Sequence, residues 1–149
     1  MAFKSNIRAF YNLTKSHPLL DSYRLLVALE LALKDANCAA HGGGHDVPNM
    51  LVTASNSPSA AAFPLVSAQL KSYSTKLRTD LGSITCQGKN SLPAPVPPSS
   101  YPYIRYSRCF GDWSGINETP TQTIQTLETT CRSICAFISA HGVKIGVFL

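Results

Sequence analysis

Apolar positions recur along most of this chain at the three-to-four-residue spacing of an α-helix. Residues 3–15 place them at Phe3, Ile7, Phe10, Tyr11 and Leu13, which predicts a short amphipathic first helix. Pro18 suits the first turn of a second helix, where a missing N–H costs nothing. Residues 19–36 are rich in strong helix formers. The centre of this stretch, residues 25–33, is apolar on nearly every side except Glu30, and a helix apolar all round belongs inside a bundle. Asp46 is placed to cap a third helix, with Pro48 in its first turn and Met50, Leu51 and Val52 following. The Ser/Pro cluster at 55–59 interrupts it. A fourth helix over residues 60–81 carries a stripe of Phe63, Val66, Leu70, Tyr73, Leu77 and Leu81, with Lys71, Thr75 and Arg78 opposite. Pro64 fits only in the first turn of that helix, and Gly82 stops it.

Residues 83–118 change character. Pro93, Pro95, Pro97 and Pro98 forbid helix and favour extended, polyproline-like backbone. The following YPYIRY, residues 101–106, reads as extended chain or a short strand. On a strand Tyr101, Tyr103 and Arg105 share one face, and Ile104 and Tyr106 the other. The last helix opens on Thr119-Pro120-Thr121-Gln122, a capping box with proline at the first helical position. Its buried stripe is Ile124, Leu127, Cys131, Ile134 and Ile138, Glu128 and Arg132 pair at i,i+4, and Gly142 ends it. The tail 143–149 is apolar and β-prone, suited to pair with 101–106 or to offer an edge to another subunit. No internal repeat and no second domain are visible. The predicted fold is therefore all-α, one domain over residues 1–149: an up-and-down bundle of about five helices, with a proline-rich extended excursion before the last.

At 149 residues the chain is long enough to bury a core without staples. With 44% apolar and 14% charged residues it lacks the signature of disorder, and so few charges suggest a surface that is either neutral polar or covered by a partner, the second pointing to a homodimer. A net charge of +5 permits contact with phosphate backbones or acidic partners without requiring either. The five cysteines are odd in number and form no CxxC, and Cys131 and Cys135 stand at i,i+4; they read as reduced thiols of an intracellular protein. No run approaches the length of a membrane span and no secretory leader is visible, so a cytoplasmic protein without membrane contact is expected.

Few motifs carry chemistry. His41 and His45, separated by three glycines, offer two imidazoles, but no third protein ligand completes a zinc set. No metal is expected. HGGG also occurs in oxyanion holes of lipase type, which require a GxSxG nucleophile elbow that is absent. No GxGxxG or phosphate-binding loop supports a nucleotide cofactor. Glu30 is either a buried acid with a raised pKa or a residue that sits at the bundle edge or pairs with a neighbouring Lys or Arg, and the second reading is favoured. The richest cluster is Tyr101, Tyr103, Arg105, Tyr106, Arg108, Phe110 and Trp113, which combines cations for phosphate with aromatic faces for bases. The alternative is an arm pinned to the bundle by its aromatics.

Three pieces together resemble the HEPN superfamily of helical domains. The helix LLVALELALKDA, a short break and then Gly44-His45-Asp46-Val47 with Leu51 are similar to that family's long second helix and its "GHDL" turn. YPYIRYSR before the final helix resembles the aromatic–arginine stretch of several HEPN-like members. The resemblance implies a bundle that usually dimerises, often in toxin–antitoxin or antiviral systems, and often a metal-independent ribonuclease. Active members carry Arg-x(4–6)-His, and no arginine here has a histidine at that distance. Arg8–His17 and Arg132–His141 each have eight intervening residues, which places the pairs about 180° apart on an ideal helix. The expectation is thus a non-catalytic HEPN-like protein that contacts RNA or a protein partner, needs no cofactor, and binds through Tyr103, Arg105, Tyr106, Arg108 and Trp113, supported by Lys71 and Arg78. The alternatives are a ribonuclease in which His45 or His141 meets Arg105 or Arg108 across a dimer, and a purely structural subunit.

Overall fold

A computed structural model of the chain describes residues 18–41, 44–87, 93–106 and 120–149, the side chains of 37–41, 87, 93, 105 and 106 excepted. The helix predicted over residues 3–15 lies outside the described residues. Among those described, four α-helices carry the fold: α1 (Pro18–His41), α2 (Val47–Ser55), α3 (Pro64–Gly82) and α4 (Thr121–His141). The architecture is all-α as the periodicity predicts.

The apolar centre of α1 is buried on one face, whereas Leu31 is exposed rather than enclosed as expected. Leu26, Leu29 and Leu33 are fully or almost fully buried, and Leu25 and Val27 pack against the same core from partly buried positions. Asp46 caps α2, its carboxylate accepting from the Asn49 N–H at 3.0 Å. α3 begins at Pro64, after a 3-10 turn over Ala60–Ala62, because the proline ring excludes a helical residue four positions earlier. Its stripe is buried at Val66, Leu70, Leu77 and Leu81, while Lys71, Thr75 and Arg78 are exposed. The two-stranded sheet is small. β1 (Thr85–Gln87) and β2 (Pro93–Pro95) run antiparallel with Cys86 opposite Ala94.

Three local expectations are corrected. Tyr101–Tyr106 is a 3-10 helix, not a strand. Its period of about three residues puts Tyr101 and Ile104 on one side, and both are buried, whereas a strand would separate them. At the start of α4, Pro120 is the cap itself rather than the first helical residue, and no side-chain cap bond forms. Its carbonyl accepts instead from Thr123 and Ile124. The tail forms no strand among the described residues. Gly142–Ile145 winds into a 3-10 turn, and Gly146, at φ 75°, supplies the left-handed residue that closes it. Val147 N–H then donates to the Gly142 carbonyl at 2.9 Å. A Cβ on Gly142 would overlap the Val147 carbonyl oxygen, so glycine is required by close approach and not by φ.

Side-chain contacts fix the directions of the helices. Ser74 Oγ donates to the Pro48 carbonyl and Ser67 Oγ to the Ser55 carbonyl, which sets α2 and α3 antiparallel. Tyr73 meets Phe137 edge-on at 5.6 Å, and Thr130 Oγ donates to Asp80 at 2.5 Å, which sets α3 and α4 antiparallel. Asp21 lies 3.9 Å from Arg132, and Leu33 and Ala36 line one cavity with Ile145 and Val147, so α1 and α4 run parallel. Asp80 is buried, and Lys76 at 3.3 Å together with Thr130 satisfies its carboxylate.

Cys131 and Cys135 are free thiols. Burial, reinforced by Cys135 and Asp80, pushes the Cys131 thiol well above its ordinary value. The folded chain therefore holds this proton at pH values where the unfolded chain releases it. The stabilisation is complete below the ordinary thiol value of 9.0 and is lost progressively above it. Above that pH the stability of the natural chain should fall more steeply than that of Cys131→Ala, the difference approaching about 1.4 kcal/mol per pH unit. Urea unfolding of both chains from pH 8 upward measures this, and parallel curves would exclude it.

Candidate functional site

Glu30 stands one residue past the midpoint of the apolar stretch of α1, with 7% of its surface exposed. A carboxylate so placed needs partners that replace its lost hydration. It has three. His45 Nδ1 lies 2.5 Å from Oε1, the Tyr101 hydroxyl donates to Oε2 at 3.1 Å, and Lys34 Nζ lies 3.6 Å from Oε1. The expectation of an ion pair thus holds, with Lys34 as one partner, and the carboxylate is also buried.

Local sequence explains how His45 arrives there. Asp46 takes the cap position of α2, so His45 is the residue before the cap, and its carbonyl accepts from Val47 N–H at 2.9 Å. Its backbone forms a parallel bridge with Ser100, which delivers the Tyr101–Tyr106 turn to the same place. The Tyr101 ring then lies edge-on to His45 at 5.9 Å and to Tyr23 at 5.6 Å. Buried Ile104 anchors the other end of the turn. Three segments, α1, the residue before the α2 cap and the Tyr101–Tyr106 turn, therefore meet at one carboxylate.

The arrangement orients the imidazole. A carboxylate beside Nδ1 holds the ring hydrogen there and leaves Nε2 with the lone pair. The His45 side chain is 48% exposed, and among the described residues its ring hydrogen-bonds to Glu30 alone. An imidazole held in this way can accept a proton or contact a phosphate oxygen from solvent.

The residues expected from sequence divide into two groups. Tyr103 sits on the turn beside Tyr101, partly buried against the core. The backbone of Arg105 and Tyr106 belongs to the same turn, but their side chains, and all of Arg108 and Trp113, lie outside the described residues. Lys71 and Arg78 are exposed on α3 at i,i+7, hence on one face. Arg78 lies 3.8 Å from Asp46, next to His45. The structure thus brings Arg78, Asp46, His45, Glu30, Lys34 and Tyr101 to one face of the bundle. Glu30, His45 and Tyr101 were absent from the expected binding set. Glu30 within an apolar helix was the available signal, but its partner 71 residues away was not marked.

Among the described residues no group of three or more His, Cys, Asp or Glu is placed to hold a metal ion. The His41 side chain lies outside them, so the His41/His45 pair is not described as a pair. No protein-family model, no curated protein and no solved structure matches this chain.

Proposed function

We propose that this chain is a HEPN-like helical protein that contacts single-stranded RNA through the face where the Tyr101–Tyr106 turn meets His45. One observation carries the reading: the Tyr101 hydroxyl on Glu30, with buried Ile104, clamps that turn to α1 beside a half-exposed imidazole. The aromatic–arginine run of the sequence therefore departs from a rigid platform, which lowers the ordering cost of binding. Stacking on Tyr103 and Trp113, with phosphate contact by Arg105 and Arg108, is the chemistry those residue types offer to unpaired bases. A second reading, RNA cleavage without a metal, is favoured specifically by the carboxylate-backed His45.

Titration of labelled single-stranded RNA at several salt concentrations tests both. Arg105→Ala should weaken binding across sequences and flatten the salt dependence by about one counterion. Trp113→Ala should cost about 1–3 kcal/mol at unchanged salt slope. Wild-type affinity no tighter than about millimolar at low salt would end the RNA reading and leave a protein partner. Intact RNA after long incubation with chelator present supports binding alone; cleavage lost in His45→Ala supports the second reading.

A further inference from the structure

We propose that His45 is a phosphoryl-acceptor residue, taking a phosphoryl group on Nε2 from a small phosphorus–nitrogen donor. A nucleophilic imidazole needs one nitrogen open to solvent, its proton fixed on the other, and a group to neutralise the charge that attack creates. His45 meets each need. Its side chain is 48% exposed, and Nδ1 faces the buried Glu30 carboxylate, which holds the ring hydrogen there. Glu30 is fixed in turn by the Tyr101 hydroxyl at 3.1 Å and Lys34 at 3.6 Å. The backbone of His45 is anchored on both sides, by the α2 cap at Asp46 and by the bridge to Ser100. His141 is the contrast. Its Nδ1 is buried with no hydrogen-bond partner among the described residues, and its ring packs on Phe137 at 4.8 Å.

Charge favours phosphorus as the electrophile. Two cations border the ring: Lys34, which shares Glu30 Oε1 with Nδ1, and Arg78, 3.8 Å from the carboxylate of the adjacent Asp46. Cations of this kind hold phosphoryl oxygens. The Asp46 carboxylate is already engaged, accepting from the Asn49 N–H and paired with Arg78. In the transfer the Nε2 lone pair forms the new N–P bond while the P–N bond of the donor breaks. The electron pair of that bond leaves with the donor nitrogen. With phosphoramidate, whose nitrogen is already protonated, the leaving group is ammonia. The ring is left as an imidazolium phosphorylated at Nε2, its Nδ1 proton facing Glu30. No other reactant enters the balance. RNA has no part in the step, which stands apart from the RNA reading.

Potassium phosphoramidate added to the full chain at neutral pH tests the proposal. Mass spectrometry at neutral pH should find a phosphoryl group first on His45, ahead of the other histidines, and phosphorus NMR should place it on Nε2. His45→Gln should lose that product. Glu30→Gln, which keeps an oxygen for the Nδ1 hydrogen but removes the charge, should slow transfer about tenfold or more. Circular dichroism checks the fold of that variant, and the order and position of labelling in the natural chain need no variant. In the urea-unfolded chain all four histidines should react at one pace. Reaction of His45 no faster in the folded chain than in the unfolded one overturns the proposal. A product on Nδ1 does the same, as does a Glu30→Gln variant that folds and reacts at the natural rate.

Discussion

Tyr101→Ala is expected to destabilise the fold by about 3–5 kcal/mol, the range for emptying a buried aromatic site. The ring is 2% exposed and touches both Tyr23 and His45. Its hydroxyl donates to a carboxylate that is itself buried. Tyr101→Phe keeps the ring and removes the donor, and should cost about 1–3 kcal/mol, since Glu30 Oε2 is then left without that hydrogen bond. The two substitutions separate packing from hydrogen bonding. A cycle with Glu30→Gln isolates the pair, and a coupling of at least about 0.5 kcal/mol between Tyr101→Phe and Glu30→Gln is expected. Denaturant unfolding monitored by circular dichroism supplies all the values. If Tyr101→Phe is neutral, the turn is held by Ile104 and ring packing, and the clamp at Glu30 contributes nothing.

The second large effect is in the middle of α1. Leu29 has no exposed surface, whereas Leu31, two residues on, is 62% exposed. Leu29→Ala should cost about 2–5 kcal/mol through lost burial and the cavity left behind. Leu31→Ala should stay within about 0.5 kcal/mol. Thermal or denaturant unfolding of the two variants reads the burial face of α1 directly. A loss below about 0.5 kcal/mol for Leu29→Ala would mean that this face does not form the core.

Helix periodicity over long stretches proved legible. The α3 stripe and the α4 stripe of Ile124, Leu127, Cys131, Ile134 and Ile138 are buried, because five turns of consistent spacing leave one face to hide. Six residues did not suffice at Tyr101–Tyr106. Alternating aromatics suggest a strand, yet Tyr101 and Ile104 also fit a period of three, and the core selected the second. The apolar tail was misread for a related reason: Gly146 can take a positive φ, and that permits a turn where composition alone suggests β-structure. The site was the least legible part. Glu30 was visible as an anomaly and Asp46 as a cap, but the joining of Glu30 to Tyr101 crosses 71 residues. Nothing in either local pattern specifies a pairing at that range.

The parallel packing of α1 and α4 has a consequence for synthesis. α1 leaves the ribosome first among the described helices, and its partner, residues 121–141, is made last, about 80 residues later. At translation speeds of roughly 5–20 residues per second, that delay is about 4–16 seconds. Throughout it, the longest of the described helices lacks one of its covering neighbours. α2 is available to shield it early; α4 is not. A ribosome slowed within residues 83–118, where the prolines cluster, would prolong that exposure.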